Sequence, residues 1–263
     1  MYMYTWEICK LLRSNLFILL YCKMAAKAKF MTVKESNILY RLMKKTHDIL
    51  TKHKITYFLT GGSLLGAVRH SGVIPWDDDG DIVVFLHDVP KLKKLQKVFD
   101  RAGLELVQGD ESDYKCDETQ YADTCSWIVA QKGKHFPTVD VFVMKVDGER
   151  VQFANPVWKR ADNGGKKCYH HTSTVFPLVP RLFGNFYMYT PNDAMSYLNN
   201  CYGVTWNSQS MQLYNHKLGK WIDSGPHLMK YAEYYALKAP KDTHDEEAPV
   251  VKKTLPKRYT TRA

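Results

Sequence analysis

Residues 55–85 read ITYFLTGGSLLGAVRHSGVIPWDDDGDIVVF, and the way this stretch folds decides the rest of the chain. The apolar run 55–59 predicts a short strand. Gly61, Gly62 and Ser63 follow it, and Leu64, Leu65 and Val68 then recur on one side of a helix that would pack on a sheet. Asp77, Asp78, Asp79 and Asp81 stand ahead of a second apolar strand at 82–85.

Carboxylates crowded beside an apolar run are costly unless something positive sits among them. Asp77, Asp79 and Asp81 are spaced by two, so in extended chain they point to one face and Asp78 and Gly80 to the other. Like charges that close either raise one another's pKa or bind a cation. Oxygen-only ligands favour a hard ion, Mg²⁺ or Mn²⁺, which keeps coordination sites for phosphate oxygens. Ser63 reads as a helix N-cap, and the bare amides of Gly61 and Gly62 suit a phosphate. Arg69, late in that helix, is placed to reach the same anion, and Trp76 fits packing beside a nucleotide as well as it fits a core. Taken alone, two glycines and a serine make an ordinary tight turn, and a run of aspartates makes a solvated or calcium-binding loop. Together within residues 61–81 they mark an active site.

The sequence Gly-Gly-Ser, then Leu-Gly-x-x-Arg-His-x-Gly, then Ile-Pro-Trp-Asp-Asp-Asp-x-Asp-Ile resembles the signature of the LicD family, which includes bacterial phosphocholine transferases, fukutin and fukutin-related protein. That family is similar to the DNA-polymerase-β-type nucleotidyltransferases, whose pattern adds a third carboxylate on a later strand. Asp140, embedded in the run TVDVFVM at 138–144, answers it. A lone aspartate in a β-branched run reads as a metal ligand or base, or as a residue wetted on an edge strand. The C-terminal stretch, with Thr190-Pro191-Asn192 starting a helix, Tyr197-Leu198 and then Tyr202-Gly-x-x-Trp206, also resembles the family, so the likeness spans residues 35–207.

The resemblance implies an α+β fold: a polymerase-β-like core, a mixed sheet flanked by helices, with a C-terminal helical extension. It implies Asp79, Asp81 and Asp140 as catalytic residues, with Asp77 a further metal ligand, holding Mg²⁺ (or Mn²⁺). Gly61, Gly62, Ser63, Arg69 and Trp76 would bind nucleotide or phosphate. The donor would be a CDP-alcohol, CDP-choline or CDP-ribitol, and the acceptor a glycan or glycoconjugate. The same carboxylates would equally serve a nucleotidyltransferase attacking the α-phosphorus of an NTP, or survive in a non-catalytic nucleotide- or glycan-binding relative.

The 263 residues carry a net charge of +10, which invites a nucleic-acid reading. Its placement argues otherwise. Residues 1–34 hold six Lys/Arg against Glu7, and residues 238–263 hold seven against four acids, so the middle of the chain is left near +2. A nucleic-acid groove needs basic residues clustered within the fold. Basic ends suit weak contact with an acidic membrane surface instead.

Residues 1–31 read as a basic, apolar tail whose apolar core, 16–22, falls far short of the roughly twenty residues that span a bilayer. A signal h-region, an amphipathic surface helix, or a tail ahead of a start at Met24 or Met31 all fit it. The family resemblance implies the Golgi or secretory pathway; the cytoplasm is expected if that segment is not a targeting signal. One domain is expected over 32–237 and a disordered basic tail over 238–263.

Within the domain, Thr32-x-x-Glu35 has capping-box spacing and opens a helix burying Ile38, Leu39, Leu42, Ile49 and Leu50, with His47 and His53 on its solvated face. A helix begins near Asp88-Val89-Pro90 and ends at Gly103, and strands follow at 105–107, 126–131, 138–145 and 151–153. Residues 109–124 read as a loop. The sequence CYHH at 168–171 suggests a substrate-facing loop or a metal cluster of Cys168, His170 and His171. Phe176-Pro177-Leu178 and 183–186 are short apolar pieces, and 227–237 reads as a last helix. Six cysteines at irregular spacing make no disulfide framework; Cys116 and Cys125 are expected as free thiols, and an oxidising compartment leaves room for one bridge.

Overall fold

In the computed structural model, which describes residues 31–109, 123–155, 169–210, 213–216, 220–222, 227–228 and 238–245, the chain enters through helix α1 (Val33–Lys52). The expectations for residues 1–30 and for Cys168 lie outside the described residues. Thr32 caps α1 reciprocally: the Glu35 amide donates to Thr32 Oγ1 at 3.3 Å, and the Thr32 amide donates to Glu35 Oε2 at 2.9 Å. His47, expected in solvent, is buried and hydrogen-bonded to the Tyr57 hydroxyl. It lies on the helical stripe of Tyr40, Met43 and Leu50, so periodicity carries it inward and Tyr57 satisfies its ring nitrogen.

Strand β1 (Tyr57–Leu59), helix α2 (Gly61–Arg69) and strand β2 (Gly80–Phe85) follow, with β1 antiparallel to β2. The helix expected from Asp88 to Gly103 is two pieces, α3 (Val89–Lys93) and α4 (Gln96–Arg101). Between them Lys94 and Leu95 bond back three residues, to the carbonyls of Lys91 and Leu92. That tighter turn swings Leu92, Leu95 and Phe99 together into the core.

Strands β3 (Leu104–Gln108), β4 (Trp127–Gln131), β5 (Thr138–Asp147), β6 (Arg150–Phe153) and β7 (Tyr169–His171) complete a mixed seven-stranded sheet flanked by helices. Its order is β1-β2-β5-β4-β3, with β6 and β7 continuing from the far half of β5. Only β2 and β5 run parallel; the remaining pairs in this sheet are antiparallel. Helix α1 covers one face, where Met43 Sδ lies so close to Gly80 that a Cβ there would meet it at 2.5 Å. On the other face Phe85 packs with Phe58 and Phe176, and α2 lies over β2.

After the short helix α5 (Thr172–Val175), the stretch expected only as apolar pieces forms a hairpin of β8 (Val179–Phe183) and β9 (Phe186–Thr190). Its tight turn leaves Gly184 at φ 73° beside the Tyr40 ring. The next helix, α6 (Ala194–Tyr202), starts later than Pro191 because Asp193 is its cap and accepts from the Ser196 amide at 2.9 Å.

Beyond α6 the described residues form two short antiparallel ladders, β10 (Gln209–Ser210) with β13 (His227–Leu228) and β11 (Leu213–Asn215) with β12 (Lys220–Ile222). At 227–228 the chain is strand where a last helix was expected to start; 229–237 lies outside the described residues. Residues 238–245, expected in a disordered tail, are tied down instead. Asp242 meets Arg41 at 2.7 Å and Asp245 meets Lys44 at 3.1 Å, while Asp245 also accepts from the Tyr187 amide. The Arg41 pair is exposed and screened by water, and backbone bonds to the hairpin, such as the Asp245 amide to the Asn185 carbonyl at 3.1 Å, also hold the segment.

Cys125 is buried and disulfide-bonded, which corrects the expectation of a free thiol there; the Cys201 sulfur lies 3.8 Å from His170 Nε2. Among the described residues no helix is long and apolar enough to cross a membrane.

Candidate active site

The loop from α2 into β2 brings Asp77, Asp79 and Asp81 together, with one carboxylate oxygen of each within 4.8 Å of the others. Asp81 is the second residue of β2, and Asp77 and Asp79 are held in the turn ahead of it, against the first turn of α2. Asp77 and Asp78 are buried, at 8% and 6% exposure. Water therefore does little to screen the charges from one another.

The glycines matter here through what a side chain would displace. A Cβ at Gly62 would sit 2.1 Å from Asp77 Oδ2, and one at Gly61 would sit 2.7 Å from Asp81 Oδ2. Gly61 also holds φ at +51°, a left-handed conformation that a side chain disfavours. The bare backbone lets the carboxylates lie against the helix N-terminus, where its partial positive charge favours them.

Ser63 is not the N-cap; Thr60 holds that position, and its hydroxyl pairs with the Tyr197 hydroxyl at 3.0 Å. Ser63 stands one turn further in and grips Asp81 reciprocally. Its amide donates to Asp81 Oδ2 at 3.2 Å, and its Oγ accepts from the Asp81 amide at 2.9 Å. The Gly62 amide also bonds the Asp81 carboxylate. The amides read from sequence as a phosphate cradle thus hold a carboxylate in this structure.

Strand register places the third carboxylate. Asp81 on β2 and Asp140 on β5 are direct neighbours in the parallel pair, so both side chains leave the same face at adjacent positions. Asp140 stands outside the 4.8 Å groups, yet its charge reaches Asp79 and His216 and raises the pKa of both.

His216 escaped the sequence reading. It stands at the end of β11, and its Nδ1 pairs with Asp78 Oδ1 at 2.8 Å while its amide donates to Asp78 Oδ2 at 3.2 Å. Its Nε2 lies 3.6 Å from Asp79 Oδ2. Nothing local in the sequence marks a histidine 138 residues beyond its partner. The weak clue was Asp78 itself, a carboxylate facing away from its neighbours with no counter-charge nearby in sequence.

Arg69, at the far end of α2, donates Nη1 to the Trp206 carbonyl at 2.6 Å and so braces α2 against the chain after α6. Trp76 packs edge-on against His70, with ring centroids 5.5 Å apart, and leans on the core. His170 and His171 alternate along β7 and part company, so the two do not share a metal as the cluster reading expected. His170 is buried and stacked on Tyr197 at 3.6 Å, and burial pulls its pKa down to about 3. His171 caps α5 and meets Glu149 at 3.3 Å.

Electrostatically the site is strained toward protonation. Burial, then the charges of Asp81 and Asp78, push Asp77 up to about 7. Burial raises Asp81 to about 6 despite the amides of Ser63 and Gly62, and burial with the neighbouring aspartates raises Asp79 well above its ordinary value. Burial lowers His216, but its bond to Asp78 and the surrounding carboxylates more than offset that, so its pKa is raised. Buried carboxylates that repel one another fit a hard divalent cation, whose charge would relieve what burial and crowding impose.

The family model described as LicD/FKTN/FKRP, nucleotidyltransferase domain, matches residues 54–193, which hold all four of these aspartates and Asp140. The chain is 31% identical over 169 residues to an uncharacterized protein of Rickettsia prowazekii, covering 64% of this chain and 55% of that protein. It is 28% identical over 136 residues to the lipopolysaccharide cholinephosphotransferase LicD of Haemophilus influenzae, covering 50% of this chain and 51% of that one. It is 38% identical over 71 residues to the ribitol 5-phosphate transferase FKRP of Mus musculus, covering 25% of this chain and 14% of that one. The chain thus spans about half the length of these two bacterial relatives.

Proposed function

This chain belongs to the LicD/FKTN/FKRP family, and from that premise we propose that it transfers a phosphoalcohol, phosphocholine or ribitol phosphate, from a CDP-alcohol to a glycan hydroxyl, with Mg²⁺ or Mn²⁺ as cofactor. On this reading the sheet, with its parallel β2–β5 pair, serves as a polymerase-β-like core. The observation that carries the proposal is the convergence of Asp77, Asp79 and Asp81 under the first turn of α2, with Asp140 beside Asp81 in the strand register.

Asp77, Asp79, Asp81 and Asp140 would hold the cation. When bound, it supplies charge neutralisation at the donor phosphates. The residues of the chain do the rest. Ser63 and Gly62 lock the Asp81 carboxylate, so the oxygen meant for the cation does not swing into solvent. The N-terminus of α2, with Gly61, adds its partial positive charge on the side where the donor phosphates would sit. Arg69 and Trp76 complete the donor side, one bracing α2 and the other walling the turn that carries the aspartates. Asp140 takes the proton of the acceptor hydroxyl. The hydroxyl oxygen forms the new bond to the distal phosphorus, the phosphorus–oxygen bond to CMP breaks, and CMP leaves with that electron pair.

The test is CMP release from a panel of CDP-alcohols with Mg²⁺ and cell-surface glycan, on wild type and on Asp79→Ala. Release from one donor, abolished in the variant, establishes the activity and names the alcohol. Pyrophosphate released from an NTP, with no CMP from any donor, overturns it in favour of nucleotidyl transfer.

A further inference from the structure

Asp79 belongs to two groups of side chains. One is the aspartate trio; the other is Asp78, Asp79 and His216, whose ligand atoms also lie within 4.8 Å of one another. We propose that His216 is a metal ligand through Nε2, held in position by Asp78 and sharing the cation with Asp79. This rests on the metal-dependent reading above and adds to it a nitrogen donor from the C-terminal segment, outside the matched 54–193.

The geometry of the ring supports it. Both oxygens of Asp78 are taken by His216, Oδ1 by the ring Nδ1 and Oδ2 by the backbone amide. A carboxylate on Nδ1 puts the ring proton there and leaves Nε2 as the basic nitrogen, which is how metal-ligating histidines are oriented by a carboxylate behind them. That Nε2 faces Asp79, 3.6 Å from Oδ2. Two ligand atoms each about 2.1 Å from one cation and adjacent in its coordination shell stand roughly 3–3.5 Å apart, so a cation fits between them with little movement. The arrangement also explains Asp78: it is as buried as Asp77, yet it turns away from the trio to grip His216.

The competing role is a clasp that only pins the C-terminal segment to the loop. A clasp needs the Nδ1 donor and the backbone amide; a ligand needs Nε2. Asparagine carries an amide N–H where Nδ1 sits and nothing where Nε2 sits, so His216→Asn separates the two. A nitrogen donor also biases a site toward Mn²⁺ and Co²⁺ over Mg²⁺.

The experiment is calorimetric titration of the full chain with Mn²⁺, Co²⁺ and Mg²⁺, together with thermal unfolding without metal, on wild type, His216→Asn, His216→Ala and Asp79→Ala. Expected is a loss of about 10- to 100-fold in Mn²⁺ and Co²⁺ affinity in His216→Asn, a change under about threefold for Mg²⁺, and an unshifted metal-free melting temperature. The visible Co²⁺ spectrum should change in the same variant. Unchanged affinities and Co²⁺ spectrum in both His216 variants, with binding still abolished by Asp79→Ala, overturn the His216 assignment and leave the metal site standing. Equal losses for all three ions with a lowered melting temperature assign His216 to the clasp. No divalent binding by wild type overturns the metal-dependent reading itself.

Discussion

Ser63 and Asp81 hold each other by two hydrogen bonds, the serine amide on the aspartate carboxylate at 3.2 Å and the aspartate amide on the serine hydroxyl at 2.9 Å. Helix α2 and strand β2 are thereby joined at the atoms where the carboxylates converge. A residue that sequence alone suggests as a phosphate binder acts first as the support of a carboxylate.

Ser63→Ala removes one of those two bonds and leaves the Asp81 amide without its acceptor. It should cost about 1–2 kcal/mol in urea unfolding and weaken divalent binding, because Asp81 loses one of its three bonds to α2 and the strand end that carries it loosens. Unchanged unfolding and unchanged Mn²⁺ titration would show that the clasp carries no weight.

Gly62→Ala tests the space the carboxylates occupy. The new Cβ would stand 2.1 Å from Asp77 Oδ2, so that side chain must rotate away. Alanine favours helix, and the fold should survive with near-native circular dichroism. Mn²⁺ affinity should drop by at least about tenfold, since one charged ligand is displaced. A variant that titrates like wild type places Asp77 outside the binding set.

Protons and cation compete for the same carboxylates. Asp77 at about 7 and Asp81 at about 6 are raised above their unfolded values, so the folded state holds extra protons between the ordinary carboxylate range and about pH 7. Metal-free stability from these groups is present at low pH and lost as pH rises through that window, and a bound cation restores it. The rise in melting temperature on adding Mn²⁺ should be larger at pH 7.5 than at pH 5.5, and affinity should fall about tenfold per proton displaced for each unit of acidification. A rise independent of pH would detach these carboxylates from the metal.

His170 has the opposite sign. Burial holds its folded pKa at about 3, far below the unfolded value, so the unfolded chain takes up the proton first. Its contribution is complete above about pH 6.5 and erodes as pH falls toward 3. From pH 7 to pH 5 this amounts to about 2 kcal/mol. His170→Phe, which keeps a flat ring against Tyr197, should lack that part of the loss in denaturant unfolding at the two pH values. Equal losses in both proteins would mean that the ring is protonated in place.

What is local and periodic could be read from the order of residues. The Thr32–Glu35 cap, the strand-helix-strand around Gly61 and the aspartate run follow from residue types at fixed spacing, because their partners lie within a turn or a single strand. Asp140 was legible for the same reason, as a carboxylate in an apolar strand, and the family likeness was written in residues 61–82. Which neighbours those residues meet came from the packing of distant segments. It placed Asp140 beside Asp81 through parallel pairing across a long connection, and it turned Ser63 from a cap into the grip on Asp81. It buried His47 and His170 against tyrosines and separated His170 from His171. It brought His216 onto Asp78, a contact spanning 138 residues. Spacing along a chain fixes which face a side chain leaves from; what stands opposite that face is set by how distant segments pack, and no local pattern encodes it.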